Sequence, residues 1–134
     1  MVVYKRIVNI KTSRKDELVD ITPHIHNIVR DSGLVGEGFC FIYCPHTTAG
    51  LTINENADPS VKKDILRGLE CMIPSIDYHH MEGNSPAHIK ASIMGLSLHL
   101  LIQGGSLVLG TWQGIYFCEF DGPRNRFFHV QIAS

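Results

Sequence analysis

Several features that would settle the class of this protein are missing from its sequence. There is no C-x-x-C pair: Cys40, Cys44, Cys71 and Cys118 are scattered and fall mostly in apolar stretches. That excludes a zinc-ribbon or thioredoxin-type motif and suits reduced thiols packed as small core residues. There is no basic excess, since 12 Lys and Arg stand against 13 Asp and Glu for a net charge of −1. A chain so balanced does not neutralise many phosphates, and nucleic acid is not expected as a partner. No apolar run approaches the roughly 20 residues that span a bilayer, and the N-terminus turns charged at Lys5-Arg6 before a signal-peptide core can form. Neither membrane insertion nor export is expected, and the expected location is the cytoplasm. Repeats, low-complexity tracts and linkers are absent too. What remains is 134 residues with 44% apolar content, enough for one domain over residues 1–134 that needs no disulfide to fold.

The apolar residues are patterned. From Val2 to Ile10 the even positions Val2, Tyr4, Val8 and Ile10 are apolar while Lys5, Asn9 and Lys11 occupy odd ones, the period of a half-buried strand. A short extended piece falls at Leu18-Val19. Thr22-Pro23 then reads as an N-cap followed by proline in the first turn, with Ile25, Ile28 and Val29 on one stripe and Gly33 as the stop. Phe39 to Cys44 is a continuous apolar run of strand length ending at Pro45, and Leu51–Ile53 is a shorter one. Asp58-Pro59 repeats the cap-and-proline signal before Val61, Ile65, Leu69 and Met72, and Pro74 ends that helix. Ser85-Pro86 opens a third helix, through Met94 to Gly95.

The last third alternates again. Leu96, Leu98, Leu100 and Ile102 predict a strand, Gly104-Gly105-Ser106 a turn, and Leu107 to Phe120 an extended stretch with an irregularity at Gly114. Asp121-Gly122-Pro123 turns the chain into Phe127–Ile132. Strands, then helices, then a terminal meander predict an α+β fold: a mixed or antiparallel, sandwich-like β core with about three short helices.

Two loops concentrate imidazoles, carboxylates and carboxamides: Cys44 to Pro59 and Tyr78 to Lys90. His46 lies just past a strand end, a rigid place from which to present a ligand. His88 is the third residue of its helix if Ser85 caps it, where the positive helix end favours a neutral ring, and a neutral imidazole binds a divalent metal. His80 and Glu82 precede that helix across Gly83-Asn84, close enough to fold back beside His88. His46, His80 and His88 are thus the candidate metal ligands, three imidazoles leaving an open fourth position as in catalytic zinc sites. No H-E-x-x-H motif supports this, and the plain alternative for each histidine is a surface or core role. His79 reads as a spectator. His24 and His26 face different directions on a helix, and His99 and His129 occupy ordinary strand positions.

Asp58 is explained as a helix cap. Glu55 has no such duty and is a candidate general base or outer partner of a liganding imidazole, with Asn54 beside it and Glu82 as the other candidate acid or base. Trp112 and Gln113 either line the pocket or, with Gly110 and Gly114, form a bulge whose tryptophan packs into the core. Thr47, Thr48, Lys90 and Arg124 complete the candidate substrate contacts, and Arg124 and Arg126 flank a turn from which either can grip a phosphate.

The blocks His46-Thr47-Thr48-Ala49 through Asn54-Glu55, Glu82-Gly83-Asn84 with Ala87-His88-Ile89-Lys90, and Gly110-Thr111-Trp112-Gln113 resemble, in order and spacing, those of the YjbQ-like family. The likeness runs over nearly the whole chain. It implies an α+β sandwich-like fold and a homotrimer with the histidine site near a subunit boundary. It also implies a secondary thiamine-phosphate synthase activity, described for some members. Gly105-Ser106 departs from the family, where many members carry a basic residue after the glycine. The resemblance points to a metal-dependent transferase joining an aminopyrimidine diphosphate to a thiazole phosphate. Such chemistry usually prefers magnesium on carboxylates, whereas a histidine-rich site suits zinc better. A metal-dependent hydrolase of a small phosphorylated or carbonyl substrate, and a non-catalytic trimer that binds metal or an anion, are the alternatives.

Overall fold

The computed structural model describes residues 1–134. Two sheets and three helices form in chain order. β1 (Val3–Lys11) and β2 (Glu17–Asp20) lead into α1 (Thr22–Asp31), followed by β3 (Gly38–Tyr43) and β4 (Ala49–Glu55). Then come α2 (Pro59–Met72), α3 (Ser85–Met94), β5 (Ser97–Gln103), β6 (Ser106–Leu107), β7 (Gln113–Glu119) and β8 (Asn125–Ala133). The larger sheet has the order β1-β8-β3-β5-β6 and the smaller β2-β7-β4. Every pairing is antiparallel, so the mixed alternative gives way to a purely antiparallel core. No helix is long and apolar enough to cross a membrane.

The layering follows from which strand faces are apolar. Cys40, Ile42, Leu100, Ile102, Phe128, Val130 and Ile132 of the large sheet meet Leu51, Ile115 and Phe117 of the small one, and Ile25, Ile28 and Val29 of α1 close one end. On its other face the small sheet buries Leu18, Tyr116, Cys118 and Phe120 against Leu69 of α2 and Ala87 and Ala91 of α3. β7 is therefore covered on both faces, which is why Ile115 to Cys118 is an unbroken apolar run instead of an alternating one. The large sheet has only one covered face. Its outer face carries Phe39, Phe41, Tyr43 and Leu101, each about half exposed.

Helix starts sit where the proline signals place them, but the caps differ in detail. Asp58 is the expected cap, accepting from Ser60 N–H at 2.9 Å. Thr22 and Ser85 are each the first residue of their helix, one place later in the motif than expected, and neither caps through its side chain. Thr22 instead donates from both its N–H and its hydroxyl to Asp20 Oδ1. His88 is accordingly the fourth residue of α3, its N–H at 3.4 Å from Asn84 O. It is not one of the unpaired first-turn positions on which its neutral-ring argument rested.

The break between the last strands is also displaced. β7 begins only at Gln113, after a turn closed by Gln113 N–H to Gly110 O at 3.1 Å and Gly110 N–H to Gln113 Oε1 at 2.8 Å. Gly114 lies inside the strand, paired with Asn54, and is small because a Cβ there would fall 2.5 Å from Asn56 Nδ2. Trp112, at the turn, is 63% exposed and is not core. Cys40, Cys44 and Cys118 are buried, with burial pushing the Cys40 thiol up to about 12. Cys71, on α2, is exposed.

One close approach sets the geometry of the site. Leu51 N–H donates to Gly95 O at 3.0 Å, and a Cβ on Gly50 would sit 2.6 Å from that same carbonyl. The backbone of β4 and the C-terminal end of α3 touch there, which holds α3 beside the strand that follows His46.

Candidate functional site

A cleft of about 330 Å³ opens where the loop between β3 and β4 meets the start of α3 and the turn between β7 and β8. Pro45, His46, Thr47 and Thr48 come from the first element, and Glu82, Asn84 and His88 from the second. Asp121, Arg124 and Arg126 complete the lining, and no hydrophobic side chain takes part in it. A larger hollow of about 380 Å³, between the end of α1 and the turn after β5, is lined mainly by glycines and aliphatic side chains, with His26 and Arg30 at its edge. The polar cleft is the one that gathers reactive groups.

His46 is half-buried and fixed by β8. Its Nε2 lies 3.0 Å from Phe127 O and 3.1 Å from Phe127 N, and its ring stands edge-on to Phe127 with centroids 5.0 Å apart. The strand backbone thus occupies Nε2, and Nδ1 is the nitrogen left for a ligand or a proton, an arrangement typical of liganding imidazoles. Burial, reinforced by the nearby Arg126, holds the His46 pKa below its ordinary value, so the ring is neutral at pH 7. His80 stands beside His88 with ring centroids 5.3 Å apart and its Nε2 4.0 Å from Glu82 Oε1. Of the adjacent pair it is therefore His80, not His79, that reaches α3. Two imidazoles on one tetrahedral zinc at about 2.1 Å have centroids about 5 Å apart, and the His80–His88 spacing meets that requirement. A third donor is not in place: no group of three His, Cys, Asp or Glu side chains converges on one point within the chain.

The floor of the cleft is a buried ion pair. Arg126, 6% exposed, donates from Nε to Glu119 Oε1 at 2.8 Å and from Nη2 to Glu119 Oε2 and to Thr48 Oγ1, the last at 2.9 Å. Glu119 is fully buried and also accepts from Thr12 Oγ1 at 2.7 Å, Phe120 N–H at 3.1 Å and Asp121 N–H at 3.0 Å. Burial raises the pKa of this carboxyl, but the hydrogen bonds from Arg126, Thr12 and Asp121 outweigh it and hold Glu119 below the usual carboxylate range. Register brings these groups together. Pairing of Ala49 with Glu119 sets Thr48 beside it, and pairing of Ile10 with Arg126 brings Thr12 in from the end of β1.

A second set of bonds closes the rim. Asn84 Nδ2 donates to Asp121 Oδ2 at 3.0 Å. Arg124 donates from Nε to Asp121 O at 2.7 Å and from Nη2 to Asp121 Oδ2 at 2.9 Å. Burial raises the Asp121 pKa, yet the bonds from Asn84 and Arg124 prevail and lower it. Asn84 Oδ1 is the one buried side-chain polar atom with no partner.

Of the residues singled out from sequence, the fold brings His46, Thr47, Thr48, Glu82, His88 and Arg124 into the cleft and sets His80 against His88. It leaves others elsewhere. Asn54 and Glu55 end β4 opposite Gly114 and Gln113, about 20 Å along the strand from Ala49 at roughly 3.4 Å per residue. Trp112 and Gln113 lie at that same far end. Lys90 is 2% exposed and bonded to Glu70 and, at 3.4 Å, to Asp16, tying α3 to α2 and to the loop before β2. Within one chain it faces no cleft. Glu119, Asn84, Asp121 and Thr12 had been given no role. Glu119 did carry a signal, because a carboxylate closing the apolar run Ile115–Cys118 demands a buried cation.

Comparison with known proteins agrees with this architecture. Residues 6–134 match the family model described as UPF0047 protein YjbQ-like. The chain is 51% identical over 132 residues to UPF0047 protein YugU of Bacillus subtilis, covering 96% of this chain and 98% of that one. It is 56% identical over 126 residues to UPF0047 protein MJ1081 of Methanocaldococcus jannaschii, covering 93% and 91%. The crystal structure of a YjbQ/UPF0047 family protein from Clostridium acetobutylicum is similar at a TM-score of 0.91 and 54% identity, over 95% of this chain and 98% of that one. A YbjQ-like protein from Sulfolobus solfataricus is similar at 0.91 and 37% identity, over 98% and 96%. With fold, site blocks and full-length matches in agreement, this chain belongs to the YjbQ/UPF0047 family.

Proposed function

We propose that the cleft binds a divalent metal, zinc in preference to magnesium, and acts on a small phosphorylated molecule. The reaction to test first is the joining of an aminopyrimidine diphosphate to a thiazole phosphate, a secondary thiamine-phosphate synthase activity. One observation carries the reading: His46, His88 and Glu82 share a cleft with two guanidinium groups and no hydrophobic wall, while His80 stands at two-ligand spacing from His88. The donors are of the nitrogen-rich kind that suits zinc. Because no third donor converges, a closed three-imidazole site requires the loop bearing His80 to shift toward His46, or a group supplied by the ligand. A bound divalent ion would neutralise charge on a leaving diphosphate.

The chain's own contributions are clearer. The free Nδ1 of His46 takes either the metal or, where the metal is held elsewhere, a proton, but not both. Glu82 is the carboxylate at the cleft mouth, and one guanidinium group of the cleft orients the phosphate. Glu55, Asn54, Trp112 and Gln113 reach such a site only from another copy of the chain. Self-association as a homotrimer, with the open aromatic face of the large sheet as its contact, is part of the proposal. That face adjoins the cleft through Phe127, against which His46 packs. The three buried thiols fit a reducing, cytoplasmic setting. Hydrolysis of the same class of ligand is the second reading, favoured by the exposure of Thr47, Glu82 and Arg124 to water at the cleft rim.

The test pairs zinc titration with product formation. Purified protein should bind zinc and form thiamine phosphate, and His46→Ala and His88→Ala should each abolish the product. Product at background level, or unchanged in both variants, defeats the synthase assignment. Absence of zinc binding defeats the metal.

A further inference from the structure

We propose that Arg126, held by Glu119, is the oxyanion-binding residue of the cleft, and that Arg124 is not. The inference rests on this cleft being the ligand site and needs no metal.

The two arginines differ in what they have left to give. Arg124 spends Nε and Nη2 on Asp121 and is largely exposed, with 53% of its side chain open to solvent. A surface pair of this kind is screened and mobile and makes a weak grip. Arg126 is more than nine-tenths buried. Its Nε and Nη2 are committed to Glu119 and Thr48, but Nη1 has no partner in the protein. Nη1 is nevertheless absent from the buried unpaired atoms, of which Asn84 Oδ1 is the sole member. An unpartnered atom that is not sealed from solvent must open somewhere, and Arg126 lines the cleft. The fork is therefore presented edge-on, one side fastened to a carboxylate and the other facing the cavity.

One further donor fits the same ligand. Thr48 Oγ1 accepts from Arg126 Nη2 and donates to no protein group, so its proton is available beside the guanidinium. Both groups offer donors, so the ligand class is an oxyanion, phosphate or carboxylate. Glu119 and Thr12 are positioning residues. The carboxylate's other bonds leave Arg126 one orientation, which is the preorganisation that makes a fixed guanidinium a better anion site than a mobile one.

The experiment is a titration of the wild-type, EDTA-treated protein with inorganic phosphate, and separately with acetate, following the Arg126 Nε–H signal by ¹⁵N NMR. Phosphate should shift that signal saturably while leaving the Arg124 signal in place. If acetate does so and phosphate does not, the oxyanion is a carboxylate and the residue assignment stands. Phosphate affinity should fall at least about tenfold in the Glu119→Gln/Arg126→Gln double variant, the loss of a charge-assisted contact, and change less than about threefold in Arg124→Gln. A wild-type Arg126 signal that neither anion moves, or equal loss in Arg124→Gln, overturns the proposal. Because the wild-type arm needs no substitution, a poorly folding variant does not blunt the test. Since the titration is run without metal, phosphate binding that persists where zinc fails to bind separates this inference from the metal reading. Zinc binding without an Arg126 response sinks the inference alone.

Discussion

Glu119→Ala should be the most damaging single change at the cleft, and its cost can be worked from the contacts. The substitution removes a fully buried carboxylate and strands Arg126, itself almost wholly buried. It also leaves Thr12 Oγ1 and Asp121 N–H without the acceptor they now share. Breaking a buried pair by deleting one partner costs about 3–5 kcal/mol, most of it the penalty of the charge left behind. At about 2.1 cal/mol/K per residue, 134 residues unfold with an entropy near 0.28 kcal/mol/K. The midpoint should then fall by about 11–18 °C. Removing both charges together, as Glu119→Gln/Arg126→Gln, leaves neutral groups able to keep part of the network and should cost about 1–2 kcal/mol. Urea unfolding with an unchanged slope, at one protein concentration because association alters apparent stability, measures both. A single variant costing under about 1 kcal/mol, or a double variant costing the sum of the singles, would refute the claim that burial and pairing, rather than mere shape, hold the cleft floor.

Acid should reveal the same network. Glu119 and Asp121 have folded pKa values below their ordinary 4.5 and 3.8, so the stability they add is complete above those values and is lost as pH falls through the lower folded ones. Urea midpoints measured between pH 7 and pH 3 should decline at the acid end in the wild type and less steeply in Glu119→Gln/Arg126→Gln; parallel curves would contradict the shift. Phe41, 48% exposed on the open sheet face, should be essential to self-association. Sedimentation should find a trimer for the wild type and smaller species for Phe41→Glu, and a monomeric wild type would refute the use of that face. Gly50→Ala must push a methyl against Gly95 O, a backbone atom that cannot swing aside, and should cost about 1–3 kcal/mol by overpacking. Chemical denaturation checks it, and an unchanged midpoint would mean that α3 is not pinned to β4 at that contact.

The fold was legible wherever burial is one-sided, and the departures have a common cause. Tyr4, Val8 and Ile10 alternate because β1 covers only one face, and proline after a polar residue marked all three helices because an N-terminal turn tolerates the missing N–H. Local signals could not say whether Thr22, Ser85 or its predecessor makes the cap, since the choice depends on Asp20 and Asn84 taking up the neighbouring bonds. Gly114 read as an irregularity because a glycine in a strand has two explanations. A neighbour's approach, here Asn56, is invisible without the third dimension. Trp112 read either as pocket lining or as core, but the turn from Gly110 to Gln113 turns it outward.

For the site, the histidines were readable as chemistry, whereas their grouping was not. Strand pairing decides that Thr48, Glu119, Arg126 and Thr12, separated by as many as 114 positions in the chain, meet at one point. The same pairing carries Glu55 about 20 Å along β4 from Ala49, away from the cleft, although it is only nine residues after His46. Sequence proximity in the first block therefore misled, because β4 is extended and carries Glu55 to the end of the strand away from the cleft. Lys90 shows the complementary error: a lysine two residues after His88 was taken to share its cleft. On a helix, a separation of two turns the side chain through roughly 200°, and Lys90 points instead into the seam between α2 and the loop before β2, where Glu70 and Asp16 receive it. The family blocks thus divide physically into residues that contact the cleft, residues such as Lys90 that hold α3 in place behind it, and a far-end group whose chemistry can join the cleft only across a contact between copies.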